Sequence, residues 1–332
     1  MKDQIFRPLE ADLRMADIYR DFLPETIFDA HMHLYRGCDI PNFHTTNEVF
    51  LRERATVEDY LAHMAPMLPG VRSVHLNAIP MPDWAMAEPG SVLREHANGY
   101  LVELHRQHPE CTLSPFVLGC DTEETVEAIA DLPGVRGLKC YSYGVPFTDF
   151  SRLHIRDYLP EAAWKAADRR KLPIVLHMVR PAYLSDPENF SYILTMAKKY
   201  PDARLILAHC AAAFMPWTAM EPIRRLEDTG NIWFDISYIS ETAPILACIL
   251  KYGGKRTMWG SDYPCCFHRG RLMGLGTGFT QLSTDEFAHL DRAHMVSENL
   301  LSFYHAALAA DLDQTQVNDL FYGNAARLFG HE

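Results

Sequence analysis

The feature that most constrains this chain is an eightfold alternation of short apolar runs with segments of helical period. The runs lie at Thr26 to Leu34, Val71 to Leu76, Thr112 to Leu118, Val135 to Cys140, Pro173 to His177, Arg204 to His209, Ile232 to Ile236 and Thr257 to Gly260. Helical spacing of apolar residues fills the gaps, over Thr56 to Leu68, Ser91 to His108, Thr122 to Asp131, Arg156 to Lys171, Asn189 to Tyr200, Met220 to Thr229 and Thr242 to Tyr252. Short, continuously apolar strands are those buried on both faces, and parallel neighbours need a crossover helix between them. Pro109, Pro133 and Pro201 stand where a helix must stop before the next strand. Eight such units predict an α/β fold, a (β/α)8 TIM barrel. A doubly wound open sheet would carry a Gly-rich phosphate turn after its first strand, and there is none.

Residues 1–25 read as an N-terminal extension with a short amphipathic piece around Leu9 to Phe22, and two helices, His294 to Ala310 and Gln314 to Phe329, close the chain. No repeat, low-complexity segment or Pro/Gly/Ser linker divides residues 26–332, so a single barrel domain is expected there. Hydrophobic content of 48% and charged content of 22% suit a soluble globular protein with a sizeable core. The balance of 31 basic and 43 acidic residues, −12, with no basic stripe, speaks against nucleic acid and anionic membrane as partners. No apolar run approaches the ~20 residues of a membrane span. The polar start Met1-Lys2-Asp3-Gln4, without a signal-peptide core, predicts a cytoplasmic protein. Eight scattered cysteines with no CxxC spacing then read as reduced thiols.

In such a barrel the C-terminal ends of all strands meet on one face, and that face carries the chemistry. His31 and His33 end the first strand and, two apart, point the same way. Lys139 lies near the end of the fourth, His177 ends the fifth, His209 the sixth, Asp235 sits near the end of the seventh, and Asp262 follows the eighth. One histidine after an apolar run is ordinarily a hydrogen-bonded core residue. Four histidines and an aspartate gathered on one face are a different matter. Neutral imidazoles with a carboxylate suit Zn²⁺, and also Mn²⁺, Fe²⁺ or Co²⁺. Three histidines and one aspartate leave a place for water, whose pKa a metal lowers from ~16 towards ~7. A fourth histidine is then free for acid–base work.

The motifs Phe28-Asp29-Ala30-His31-Met32-His33, Leu176-His177, Ala208-His209 and Gly260-Ser261-Asp262-Tyr263-Pro264 resemble the amidohydrolase superfamily. Within it they resemble the amidohydrolase-related (amidohydrolase 2) branch of metal-dependent hydrolases and aminocarboxymuconate-semialdehyde-type decarboxylases. The closing Tyr322-Gly323-Asn324-Ala325-Ala326-Arg327-Leu328-Phe329 is similar too, so the resemblance runs from about residue 26 to 330. It implies His31, His33, His177 and Asp262 as ligands of a divalent metal; zinc is the first expectation, with manganese or another divalent metal as the alternative. It implies His209 as general acid/base or carbonyl polariser, and Asp262 as a second catalytic group sharing a proton with the attacking water. In some members a lysine at the end of strand four is carboxylated and bridges two metals. In this branch such a lysine more often contacts substrate or stays structural, so one metal and an uncarboxylated Lys139 are expected.

Substrate contacts should come from loops on the same face. Arg36, Arg180 and His268, with Arg269 and Arg271, are candidate carboxylate binders, since arginine offers a fork matched to carboxylate. Lys139 and Tyr141 are further candidates, with Tyr143, Trp217, Tyr238 and Phe267 as aromatic walls. The glycine-bearing stretch from Tyr263 to Asp285 suits a mobile lid or an oligomer contact. The leading expectation is a metal-dependent hydrolase that directs a metal-activated water at an amide, ester or lactone of a small carboxylated substrate. A non-oxidative decarboxylase is the alternative, set behind because such enzymes commonly lack a lysine like Lys139. A non-catalytic metal-binding barrel is the third reading, and the full ligand set argues against it. Pairing into a homodimer rests on fold analogy alone.

Overall fold

A computed structural model describes residues 4–42, 49–51, 53–146, 149–282, 287 and 289–330. Eight parallel strands run in chain order: β1 (Thr26–Arg36), β2 (Ser73–Pro80), β3 (Thr112–Leu113), β4 (Leu138–Cys140), β5 (Pro173–Leu176), β6 (Arg204–Leu207), β7 (Ile232–Asp235) and β8 (Thr257–Met258). Continuous ladders join β1 to β2 and β3, and join β4 through to β8. Two seams turn these ladders into a ring. Between β3 and β4 there are parallel bridges at Leu113 with Val135 and Phe116 with Lys139. Between β8 and β1, Ala30 N donates to Trp259 O at 3.2 Å, Asp262 N to His31 O at 2.7 Å and His33 N to Tyr263 O at 2.8 Å. The last strand therefore closes on the first. The fold is the α/β barrel that the alternation predicts.

Alternation along each strand separates two cores. Ile27, Ile174, Leu176, Leu205, Leu207 and Phe234 join the large cluster between strands and helices. Phe28, Val175, Ile206, Ala208 and Met258 fill the barrel interior, together with Ala325, Ala326, Leu328 and Phe329. The terminal helix Asn324–Phe329 thus plugs the barrel, with Phe329 stacked on Phe28 at 5.6 Å between ring centres. Interior positions above that plug are left for polar side chains. Lys139 pairs in register with Val175, and His177 stands two residues further on the same side.

Several boundaries differ from the sequence reading, each for a local reason. β3 is two residues long because Pro115 lacks the N–H to continue its ladder, although its carbonyl still accepts from Lys139 N at 2.9 Å. The helix expected from Arg156 to Lys171 is two, Ile155–Tyr158 and Glu161–Arg170, parted at Pro160. A five-residue π turn, Asp319–Gly323, interrupts the last helical segment. The stretch read as a lid or contact contains an antiparallel hairpin, Leu272–Leu275 with Gly278–Gln281, turning at Gly276 with φ +58°. Asp285, and His44 in the long loop after β1, lie outside the described residues.

The N-terminal extension is packed in. Phe6, Ala16, Tyr19 and Phe22 are buried in the main cluster. In helix Glu10–Tyr19, the buried Asp12 accepts from His294 N at 2.7 Å, Ser297 Oγ at 2.7 Å and His294 Nδ1 at 2.8 Å. Among the described residues, no helix is long and apolar enough to cross a membrane.

Candidate active site

Three side chains reach the polar end of the barrel from the β8–β1 seam. That seam is built around Asp29, which is buried and accepts hydrogen bonds from His31 N (3.1 Å), Ser261 N (2.9 Å) and Tyr60 Oη (2.8 Å). Burial pushes its carboxyl up to about 7 against those bonds. A register shift in the β1–β2 ladder between Asp29 and Met32 lets Asn77 Nδ2 take the carbonyl of Ala30. Bulges of this kind re-aim side chains next to functional sites. The result is that His31, His33 and Asp262 face one another.

Hydrogen-bond accounting fixes how these groups present themselves. His31 Nδ1 lies 3.0 Å from Asp235 Oδ2. Burial alone would raise Asp235, but its contact with His31, and after it the Ser237 hydroxyl, hold it below the usual carboxylate range. Burial pushes His31 down to about 3, with Lys139 adding to the effect, so His31 is neutral and donates from Nδ1. Its Nε2 then carries a lone pair, and Lys139 Nζ donates to it at 3.1 Å. His33 Nδ1 lies 3.1 Å from Pro80 O, which can only accept, so this nitrogen also carries a hydrogen. Yet His33 Nε2 sits 3.1 Å, and His31 Nε2 3.6 Å, from Asp262 Oδ1. Burial would raise Asp262, but the surrounding imidazoles of His33, His209 and His31 hold it down to about 2. Three electron-pair donors therefore converge, and only a positive charge, a proton or a metal cation, can join them.

A second cluster, His31, His209 and Asp235, also has its ligand atoms within 4.8 Å of one another. Its hydrogens are already spent. His209 Nδ1 donates to Ser237 O at 3.1 Å and Ser237 Oγ at 2.9 Å. The Ser237 hydroxyl in turn donates to Asp235 Oδ1. The cluster better able to hold a cation is His31, His33 and Asp262.

His209 does not end a strand as the sequence reading has it. β6 stops at Leu207, and His209, Cys210, Ala211 and Ala212 form a left-handed turn with φ between 52° and 64°. Each such residue costs ~1–2 kcal/mol, and Asp235 Oδ1 offsets part of this by accepting His209 N at 3.1 Å. With hydrogen on its Nδ1, His209 presents Nε2 as acceptor to His177 Nδ1 at 3.1 Å. His177 is driven far below its ordinary value by burial, then by His209 and Lys139, so it is neutral with a lone pair on Nε2. Among the described residues neither metal-competent cluster includes His177. Its ring packs on Tyr141 at 4.1 Å.

A cavity of about 170 Å³ opens here, lined by His31, His33, Lys139, His177, His209 and Asp262. The rest of its lining is Phe50, Met81, Pro82, Tyr141, Tyr143 and Cys265. Lys139 is wholly buried, and burial pushes its ammonium down to about 8, against the attraction of Asp235 and Asp262. Tyr141 is raised well above its ordinary value by burial and stays a phenol.

The structure does not bring the other expected substrate contacts into this lining. Arg36 is clamped by Asp39, at 2.8 Å from Nε to Oδ2, and by the carbonyl of His96 at 3.1 Å. Arg180 is held by Asp186 at 3.0 Å and by Glu188. His268 Nδ1 is 3.3 Å from Tyr238 Oη. No arginine is among the described residues that line the cavity. Conversely, Ser237 escapes sequence reasoning, and Asp235 figures there only as a strand-end carboxylate.

Residues 28–331 match the protein family described as Amidohydrolase. No curated protein matches the chain. Among solved structures, the chain is similar to a zinc-bound amidohydrolase from Burkholderia multivorans, with TM-score 0.57 and 15% identity over 92% of this chain and 99% of that one. It is similar to a Pseudomonas putida protein provisionally assigned as a 2-pyrone-4,6-dicarboxylic acid hydrolase, with TM-score 0.56 and 16% identity over 93% and 99%. It is also similar to 5-carboxyvanillate decarboxylase from Sphingomonas paucimobilis, with TM-score 0.55 and 13% identity over 92% and 99%.

Proposed function

The chain belongs to the amidohydrolase family, and from that premise we propose that it is a metal-dependent hydrolase acting on an amide, ester or lactone of a small carboxylated substrate. The observation that carries this reading is the convergence of His31 Nε2, His33 Nε2 and Asp262 Oδ1, with the other nitrogen of each imidazole already bound to a fixed acceptor. A metal ligand whose second nitrogen is so tied is oriented and made more basic. When bound there, a divalent cation, zinc by first expectation, supplies Lewis acidity towards oxygen.

The chain's own residues do the remainder. Asp262, kept ionised, accepts the proton of the attacking water. His209, with its Nδ1–H anchored on Ser237, takes that proton from Asp262 at Nε2, displacing the hydrogen bond it otherwise accepts from His177 Nδ1, and passes it to the leaving group. Lys139, the one ammonium among the described residues that line the cavity, pairs with the substrate carboxylate. Phe50, Tyr141 and Tyr143 exclude water around the reacting bond.

One observation favours a second reading. A small cavity walled by aromatic rings, with no arginine among the described residues that line it, also suits a flat aryl acid. In that case the bond to the carboxyl carbon breaks, CO₂ departs, and the electron pair left on carbon takes a proton from His209 or Lys139. Metal-loaded protein offered lactones, amides, esters and aryl acids in H₂¹⁸O separates the two. Incorporation of ¹⁸O supports hydrolysis, and CO₂ release without ¹⁸O in the organic product supports decarboxylation. Metal-replete protein that does neither refutes both.

A further inference from the structure

Asp235 comes from β7, yet it touches site groups from β1 and β6 at once. Its two oxygens have different duties. Oδ1 accepts from His209 N (3.1 Å), Ser237 N (3.1 Å) and the Ser237 hydroxyl. Oδ2 faces His31 Nδ1 alone at 3.0 Å. The residue is 1% exposed, so water does not substitute for these partners. We propose that Asp235 is not a metal ligand but a positioning residue, one that keeps the hydrogen of His31 on Nδ1 and so leaves Nε2 free for the cation site, while fixing the left-handed turn that carries His209. The role in metal binding rests on the function proposed above; the tautomer does not.

The asymmetry of the two oxygens makes the proposal testable by a single-atom change. In Asp235→Asn the three donors on the Oδ1 side hold the amide oxygen there. The amide nitrogen must then face His31 Nδ1 as a donor. His31 meets it by giving up the Nδ1 hydrogen and carrying it on Nε2, the nitrogen aimed at Asp262 and Lys139, because the other acceptor near Nδ1, Ser237 Oγ at 3.4 Å, is engaged at 2.9 Å by His209 Nδ1. A ligand nitrogen that bears a hydrogen cannot bind a cation. Asp235→Ala removes the orienting group without imposing the wrong tautomer.

The experiment is ¹⁵N imidazole spectroscopy of the metal-free protein, with the His31 signals assigned by their loss in His31→Gln, followed by zinc titration of each variant. Wild type should show His31 with hydrogen on Nδ1, and Asp235→Asn should show it on Nε2. Zinc affinity should fall by about 10- to 100-fold in Asp235→Asn, and by less in Asp235→Ala. An Asn variant that keeps the Nδ1–H tautomer overturns the proposal. So does one that loses zinc with the tautomer unchanged, since that is the behaviour of a ligand. If wild type takes up no zinc, the metal function fails by itself, and the tautomer comparison still decides the role of Asp235.

Discussion

Substituting Gly260 by alanine tests whether the site depends on the closeness of the β8–β1 seam. A Cβ at 260 would stand 2.8 Å from His31 Cβ and 3.0 Å from His31 N. Neither atom can swing aside, because both belong to the framework of β1, which hydrogen bonds pin to Trp259, Asp262 and Tyr263. Moving from 2.8 Å to the 3.4 Å of ordinary contact takes about 0.6 Å, and functional constellations tolerate only ~0.5 Å. Overpacking of this kind costs ~1–3 kcal/mol. The expected outcome is a urea unfolding free energy lower by about that amount, together with zinc binding weakened by ~10-fold or more. Gly278→Ala is the control, since its nearest neighbour is Leu275 O at 3.9 Å. If Gly260→Ala matches wild type in both stability and zinc affinity, the seam is not what places His31.

Other consequences follow from the same geometry. His33→Ala and Asp262→Asn each remove one of the three converging donors, so zinc content by elemental analysis should drop to background in both while far-ultraviolet circular dichroism is retained. Lys139 is charged in both folded and unfolded states below about 8, and between that pH and its ordinary value only the unfolded chain keeps the proton. Metal-free protein should therefore gain stability as pH rises through that window, by ~3 kcal/mol in total. Lys139→Met should remove this gain, and chemical denaturation of the pair across that range checks it. Arg36→Ala and Arg180→Ala should leave KM for a turned-over carboxylate within ~3-fold of wild type, because both guanidinium groups are spent on local carboxylates. Lys139→Met should raise KM by ~10-fold or more; the reverse ranking would return the arginines to the site.

How far the sequence can be read depends on the range of the interaction that decides each feature. The barrel was legible because its signals are local: apolar runs of strand length, helical period between them, and prolines at the junctions. The gathering of His31, His33, Lys139, His177, His209 and Asp262 was legible because strand ends in a closed barrel share one face, so position along a strand stands in for position in space. That Arg36 and Arg180 stand outside the cavity lining has a local signal that could have been seen. Asp39 stands three residues after Arg36, and Asp186 and Glu188 follow Arg180 closely, so each arginine has a nearer carboxylate than any substrate.

The roles of Asp235 and Ser237 were illegible for the opposite reason. Their importance lies in bonds to His31, more than 200 residues earlier, and to the backbone of a turn that no propensity predicts. A run of four left-handed residues with no glycine among them is unfavourable by every local rule. It survives because the carboxylate on the neighbouring strand accepts the first N–H of the turn and the surrounding core leaves Cys210, Ala211 and Ala212 no room to relax. Strain of this sort persists only where the surroundings over-determine it, and such places concentrate at functional sites. The residue at which sequence rules fail most clearly is therefore His209 itself, and the group that makes that failure affordable is the one that also sets the tautomer of His31. A single buried carboxylate ties the proton-moving histidine to the cation site, so substitutions at Asp235 should disturb both together.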